Sequence, residues 1–273
     1  MREPVAIGFY PDDPEELRQT IESFLDDVKV KEMTPRALLV PHAGYPFSGK
    51  TAAFSYKALK GKDYSNVILL GPNHYGVGPE IAVSGEDWKT PLGEVKLNRE
   101  IANKITQNSG ARTDNKAHER EHSIEVQLPF LQYVLSDFEI VPISIKHEYL
   151  DKNSLNDLGE VLRELSDEET LIIASSDLVH FGPNYRYMPV QEDRVEFVEE
   201  KDREFIDKVV QFDPDGVLEI GEDTTVCGYG GIAALLMALK DQGIKASILE
   251  HSTSYDVRKD ENNIVGYASI AFF

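Results

Sequence analysis

The sequence predicts α/β layering in a single domain with a largely parallel central sheet. Three observations lead there. Short apolar runs recur and each stops at a loop: Ala37 to Val40 before Pro41-His42, Val67 to Leu70 before Gly71-Pro72, Leu171 to Ala174 before Ser175-Ser176, and Ala246 to Leu249 before Glu250-His251. Such runs fit strands covered on both faces. Stretches with leucine and isoleucine at helical spacing lie between them, and that alternation marks layered α/β architecture. No linker, low-complexity tract or convincing repeat interrupts the 273 residues, so residues 1–273 are assigned to one domain.

Taken in order, Val5 to Tyr10 reads as a short strand. Asp13-Pro14 is a helix start, a capping side chain followed by proline at the first helical position. Leu17, Ile21, Phe24, Leu25 and Val28 then place an amphipathic helix over 14–28. The Ala37 strand follows, then a helix from Gly49 to Lys60 closed by Gly61, then the strand behind Asn66. Residues 81–97 alternate about Pro91-Leu92-Gly93 and predict a β-hairpin. Leu97, Ile101 and Ile105 mark a helix ending near Gly110. In 118–135 Ile124, Leu128 and Leu131 share a helical face that Pro129 kinks or restarts. Phe138 to Ile145 is a strand. Leu155, Leu158, Leu162 and Leu165 make a helix before the Leu171 strand. Residues 190–210 read as a charged helix and Asp213 to Gly216 as a turn or helix start. Cys227-Gly-Tyr-Gly-Gly231 leads into a helix carrying Ile232, Leu235, Leu236 and Leu239. Strands near 245–250 and 264–272 close the chain.

The 28 basic and 48 acidic residues leave a formal charge of −20. That balance disfavours phosphate backbones and anionic membrane surfaces, so neither a nucleic-acid nor a membrane partner is expected. Cys227 is the one cysteine. It excludes an intrachain disulfide and fits a reducing, cytoplasmic setting. The opening MREPVAIGFY lacks the apolar stretch of a secretory leader, and no apolar run approaches the ~20 residues of a membrane span.

The chemistry concentrates at strand ends, where open α/β sheets bind ligands. Four of the seven histidines, His42, His74, His180 and His251, follow a buried-type strand directly. His42 and His74 are neutral nitrogen ligands on strand-end loops, able to face one ion from adjacent strands. Cys227 stands before a glycine-rich helix start, where backbone N–H groups favour a thiolate. Asp177 lies three residues before His180, a spacing at which a carboxylate can fix a histidine tautomer and make it a general acid/base. His118-Glu-Arg-Glu-His122 matches H-E-x-x-H. It lacks a metzincin extension and reads as a chance match in an acidic chain, with His122 and Glu125 supporting the main site from behind. His147 sits among charged residues and is expected in solvent. His251 faces the pocket region without a recognisable partner.

Read together, PHAGY (Pro41 to Tyr45), GPNHYG (Gly71 to Gly76), WKTPLGEV (Trp88 to Val95), EHSIEVQLPFL (Glu121 to Leu131), SSDLVHFG (Ser175 to Gly182) and CGYGG (Cys227 to Gly231) resemble the ordered motifs of the Memo family. That family is similar in fold to class III extradiol dioxygenases, so the resemblance implies an αβα sandwich. It implies metal binding by His42, His74 and Cys227, with the thiolate standing where the dioxygenases carry a glutamate. It implies that His180 matches their acid/base histidine, with Asp177 beside it. The expected ion is iron or copper, with zinc as a further option, since a softer sulfur ligand suits these ions. Microbial relatives accompany radical-SAM and AMMECR-type proteins, which makes those the expected pathway partners beside a small-molecule substrate. Redox chemistry at a dioxygenase-like pocket is the leading expectation. The alternatives are an active extradiol-type oxygenase, a metal-free Cys/His enzyme, and a binding scaffold with a vestigial pocket.

Overall fold

The computed structural model describes residues 1–147 and 150–273. Its helices are α1 (Pro14–Asp27), α2 (Tyr45–Ala58), α3 (Arg99–Asn108), α4 (Leu128–Val134), α5 (Lys152–Leu165), α6 (Arg194–Val210), α7 (Pro214–Asp223), α8 (Tyr229–Leu239) and α9 (Ser254–Arg258). Its strands are β1 (Ala37–Val40), β2 (Asn66–Pro72), β3 (Ile81–Val83), β4 (Trp88–Thr90), β5 (Gly93–Leu97), β6 (Arg112–Thr113), β7 (Glu139–Ile145), β8 (Thr170–Ser175), β9 (His180–Phe181), β10 (Ala246–Thr253) and β11 (Ile264–Phe272).

The main sheet runs β10-β11-β1-β8-β2-β7-β3-β6. Its centre, β1-β8-β2-β7, is parallel. Antiparallel ladders flank it, β11 against β1 and β10 on one side and β3 against β7 on the other. The central strands alternate between two cores. Leu38, Val40, Val67, Leu69, Leu171 and Ile173 pack toward α1, α2 and α4. Leu39, Ile68, Leu70, Ile172 and Ala174 pack toward α3 and α5 to α8. Burial on both faces is why these strands read as unbroken apolar runs. The expected single α/β domain, a sheet between helix layers, is the architecture found.

Local chemistry accounts for the ends of the elements. The Asp13 carboxylate caps α1 by accepting from the N–H groups of Glu15 and Glu16, as its position before Pro14 predicts. Several boundaries differ from the sequence reading. Helix α2 starts at Tyr45 instead of Gly49, because Pro46 occupies its first turn, and Gly49 is interior. A Cβ there would lie 2.6 Å from the Phe24 ring, so glycine lets α1 and α2 approach. Val5 to Tyr10 forms no strand: the chain turns at Gly8-Phe9 and makes one isolated bridge, Ile7 to Tyr10, and the N–H groups of Val5 and Ala6 are spent on the Glu125 carboxylate. The hairpin is narrower than 81–97: β4 pairs with β5, while Ile81–Val83 joins the main sheet. Residues 118–135 are also broken up. Short 3₁₀ turns at Lys116–His118 and Glu125–Gln127 precede α4. The Glu121 carboxylate captures the Ser123 N–H, offering the backbone an alternative to helix.

The parallel strands share a direction, so their carboxyl ends share an edge. β1 delivers His42, β2 delivers His74, β7 leads to His147 and β8 to Asp177 and His180. Helix α8 packs on β2 and β8 and presents Cys227 at its start.

Candidate metal centre

One cavity of about 910 Å³ opens at that edge. His42, His74, His122, His147, Asp177, His180 and Cys227 all line it, with Phe9, Phe47, Tyr185, Tyr229 and Tyr267 among its aromatic walls. Its size is that of a pocket for a small molecule.

At the cavity floor, ligand-type atoms of His42, His74 and Cys227 lie within 4.8 Å of one another. The Cys227 Sγ is 3.2 Å from His42 Nε2. Each histidine is tied through its other nitrogen. The Ser175 hydroxyl donates to the Ser123 carbonyl at 2.7 Å and accepts from Gln127 Nε2 at 2.7 Å. It therefore also accepts the His42 Nδ1 proton, across 3.0 Å. His74 Nδ1 donates to Glu121 Oε1 at 2.9 Å, and the other Glu121 oxygen accepts from the His74 backbone N–H at 2.7 Å. Both Nε2 atoms are left to face the sulfur. Histidines held by an outer hydrogen bond and aimed together with a thiol have the donor chemistry of a metal site, so the residues fit the ion the resemblance implies.

The same packing sets the charges. Burial pushes the Cys227 thiol up, but the His42 and His74 rings outweigh it and hold the thiol well below its ordinary range. Burial pulls His42 down, and the Cys227 sulfur and Asp177 turn that into a net rise. For His74, burial is again offset, by hydrogen bonds to Cys227 and Glu121, and the ring is raised to about 11. Burial raises Glu121, but its contacts with His74 hold it far below the carboxylate range. The thiol and the two rings therefore favour one another's charged forms.

Asp177 and His180 are both in the cavity wall, but they do not bond as expected. His180 Nδ1–H is shared between the carbonyls of Leu178 at 2.9 Å and Thr225 at 3.0 Å. That leaves Nε2 as the free nitrogen without help from a carboxylate. The Tyr185 ring stands edge-on to the imidazole, 4.9 Å between centroids. Asp177 is buried, and its Oδ1 accepts from the N–H groups of His42 and Ala43 at 2.7 and 3.2 Å. It clamps the His42 loop.

Other histidines also depart from the sequence reading. His147 is in the cavity wall instead of solvent, its ring 5.9 Å from that of His74. His251 is not in the lining; its Nε2 pairs with the buried Asp202 at 2.9 Å. His118 is buried against Trp88 and bonds the Ala82 carbonyl. It belongs to no ligand cluster among the described residues, which disposes of the H-E-x-x-H match. His122 stacks on His74 at 4.9 Å and 16°. Burial, with His42 and His74 nearby, lowers its pKa to about 3 and keeps it neutral.

Glu121, Ser175 and Gln127 went unrecognised from sequence. Glu121 was hidden inside the H-E-x-x-H pattern, and a hydroxyl or amide has no spacing signature.

Comparison with known proteins identifies the family. The profile of a family described as Memo-like protein matches residues 2–271. A MEMO1 family protein of Thermoplasma volcanium is 39% identical over 99% of this chain and 97% of its own length. One from Thermococcus onnurineus is 41% identical, covering 98% and 97%. One from Pyrococcus furiosus is 39% identical over the same shares. A crystal structure of an uncharacterized Escherichia coli K12 protein aligns at 14% identity and a TM-score of 0.46, covering 87% of this chain and 99% of that one.

Proposed function

The chain belongs to the Memo-like family, and from that premise we propose that it binds a redox-active metal ion, iron or copper, on His42, His74 and Cys227 and carries out redox chemistry on a small molecule in the cavity above. The observation behind this reading is the convergence of two histidine Nε2 atoms and one cysteine sulfur, each histidine fixed through its other nitrogen. Three protein ligands would leave such an ion able to take a further ligand from the cavity. Such an ion would supply Lewis acidity and one-electron chemistry to whatever enters.

The chain's own residues have separable tasks. Glu121 and Ser175 hold the two imidazoles in the tautomer that presents Nε2. Asp177 holds the His42 loop in place. His180, with Nδ1–H on two carbonyls, offers Nε2 as the atom that takes or gives a proton at the substrate. Neutral His122, with Phe9 over it at 4.2 Å, and the rings of Phe47, Tyr185 and Tyr229 restrict water at the reacting end.

The test is metal analysis of untagged, anaerobically purified protein, comparing the wild type with Cys227→Ser. Near-stoichiometric iron or copper, falling at least tenfold in the variant, is expected from replacing a soft thiolate by a hydroxyl. A wild type that carries no metal and cannot be reloaded with Fe(II), Cu(I) or Zn(II) overturns the reading.

The 3.2 Å contact between Cys227 Sγ and His42 Nε2 favours a second reading, a metal-free thiolate–imidazolium enzyme. It predicts turnover that survives strong chelators and is lost on alkylation of Cys227.

A further inference from the structure

We infer that Arg2 is a positioning residue for His74, and that docking of residues 2–10 is coupled to occupancy of the metal site. This rests on the metal reading above. Arg2 is only 5% exposed, although arginine is seldom buried unless its donors are paired. Its guanidinium is spent in three directions. Nη1 donates to Glu125 Oε2 at 2.5 Å, Nε to the His118 carbonyl at 2.7 Å and Nη2 to the Glu121 carbonyl at 2.6 Å. The group lies 3.9 Å over the Trp88 ring.

The two carbonyls bracket the turn 118–121, and the last residue of that turn is the one whose side chain holds His74. The Glu121 carboxylate is fully buried. Its bonds go to His74 N–H, His74 Nδ1–H and Ser123 N–H. The route is therefore short: Arg2 to the main chain of Glu121, the side chain of Glu121 to the ring of His74. The arm reaches His74 a second way. Glu125 accepts from Val5 N–H, Ala6 N–H and the Tyr10 hydroxyl. This fixes the segment that carries Phe9, whose ring covers His122, which in turn stacks on His74.

An ion pair with Glu125 alone would satisfy the charge of Arg2. The two carbonyl contacts go beyond that need, and they set the height of the Glu121 turn under His74. If a docked arm favours the metal-competent His74, metal binding favours the docked arm by the same factor.

The test uses the full chain and Co(II), titrated while the sulfur-to-cobalt charge-transfer and d–d bands are followed. Arg2→Lys keeps a cation opposite Glu125, but an ammonium cannot reproduce a fork aimed at three acceptors. It is expected to bind Co(II) at least about tenfold more weakly, within the 10–100-fold range for outer partners of metal ligands, with displaced d–d bands. Hydrogen exchange of residues 2–10 in the unmodified chain is the companion measurement, and Co(II) should slow it. This second measurement decides the matter if the variant does not fold. A folded Arg2→Lys protein with cobalt affinity within twofold of the wild type and the same spectrum overturns the inference, as does arm exchange indifferent to Co(II). Failure of the wild type to take up cobalt overturns this inference, whereas the metal reading falls only if Fe(II), Cu(I) and Zn(II) also fail to load, so the two failures are distinguishable.

Discussion

Ser175 and Glu121 decide which nitrogen the sulfur-facing histidines present, and neither could be assigned from spacing. A histidine has two ring nitrogens, and a neutral hydroxyl or a buried carboxylate on one selects the other as ligand. His42, His74 and Cys227 were legible because strand ends and a glycine-rich helix start are local features. Their outer partners come from residues dozens of positions away. The apo protein carries a measurable mark of the arrangement. An ordinary thiol, with a pKa near 8.5, loses thiolate about tenfold per pH unit below that value. The His42 and His74 rings hold Cys227 well below that range despite its burial. Iodoacetamide labelling of metal-stripped protein should therefore change little between pH 8 and pH 6. A tenfold fall per unit over that interval would show an unperturbed thiol and contradict the pairing.

At the scale of elements, the start of α8 explains the glycines around Cys227. Gly228 lies against the end of β8, where a Cβ would fall 2.5 Å from the Ser176 Cβ and 2.6 Å from the Ser175 carbonyl oxygen. Its N–H also donates to Ser176 Oγ at 2.9 Å. The close approach seats Cys227 beside His42. Gly228→Ala has no room to relax against backbone and should cost about 1–3 kcal/mol of stability, the usual range for overpacking. It should also push Cys227 away from the two histidines. Denaturant unfolding would measure the first effect and metal content the second. A variant with wild-type stability and metal content would mean that β8 and α8 can separate freely. Within 118–135 the helix restarts at Leu128-Pro129 as α4, but the residues before it are only 3₁₀ turns. The leucine spacing is helical, but Glu121, Ser123 and Glu125 spend their bonds on distant chain segments, and tertiary hydrogen bonds outcompete a weak local preference.

At the scale of the molecule, the parallel centre brings four loops to one edge, and the two cores hold that edge rigid. Residues from 9 to 267 line one cavity, so binding there ties the N-terminal arm, the strand-end loops and the C-terminal strands together. A bound ion should then stabilise the fold as a whole. At a free metal concentration a hundred times its Kd, the gain is about 2.7 kcal/mol. For a chain of this size that is a rise in Tm on the order of 5 °C. Calorimetry with and without Fe(II) or Co(II) checks it, and the shift should vanish in Cys227→Ser. An unchanged Tm in the wild type at saturating metal would mean that the unfolded chain binds the ion as well as the folded one does.

The sequence by itself determined the α/β class, the helix and strand identities of the long periodic segments, and the placement of His42 and His74 after strands and of Cys227 before a glycine-rich helix start, because apolar period, caps and strand-end placement are written within a few neighbouring positions. Tertiary structure alone decided that His147 joins the cavity, that His251 turns away to Asp202, that carbonyls rather than Asp177 orient His180, and that Arg2 reaches the support of His74. Those are contacts between segments far apart in the chain, and burial with hydrogen-bond satisfaction selects them only once the sheet has brought the segments together.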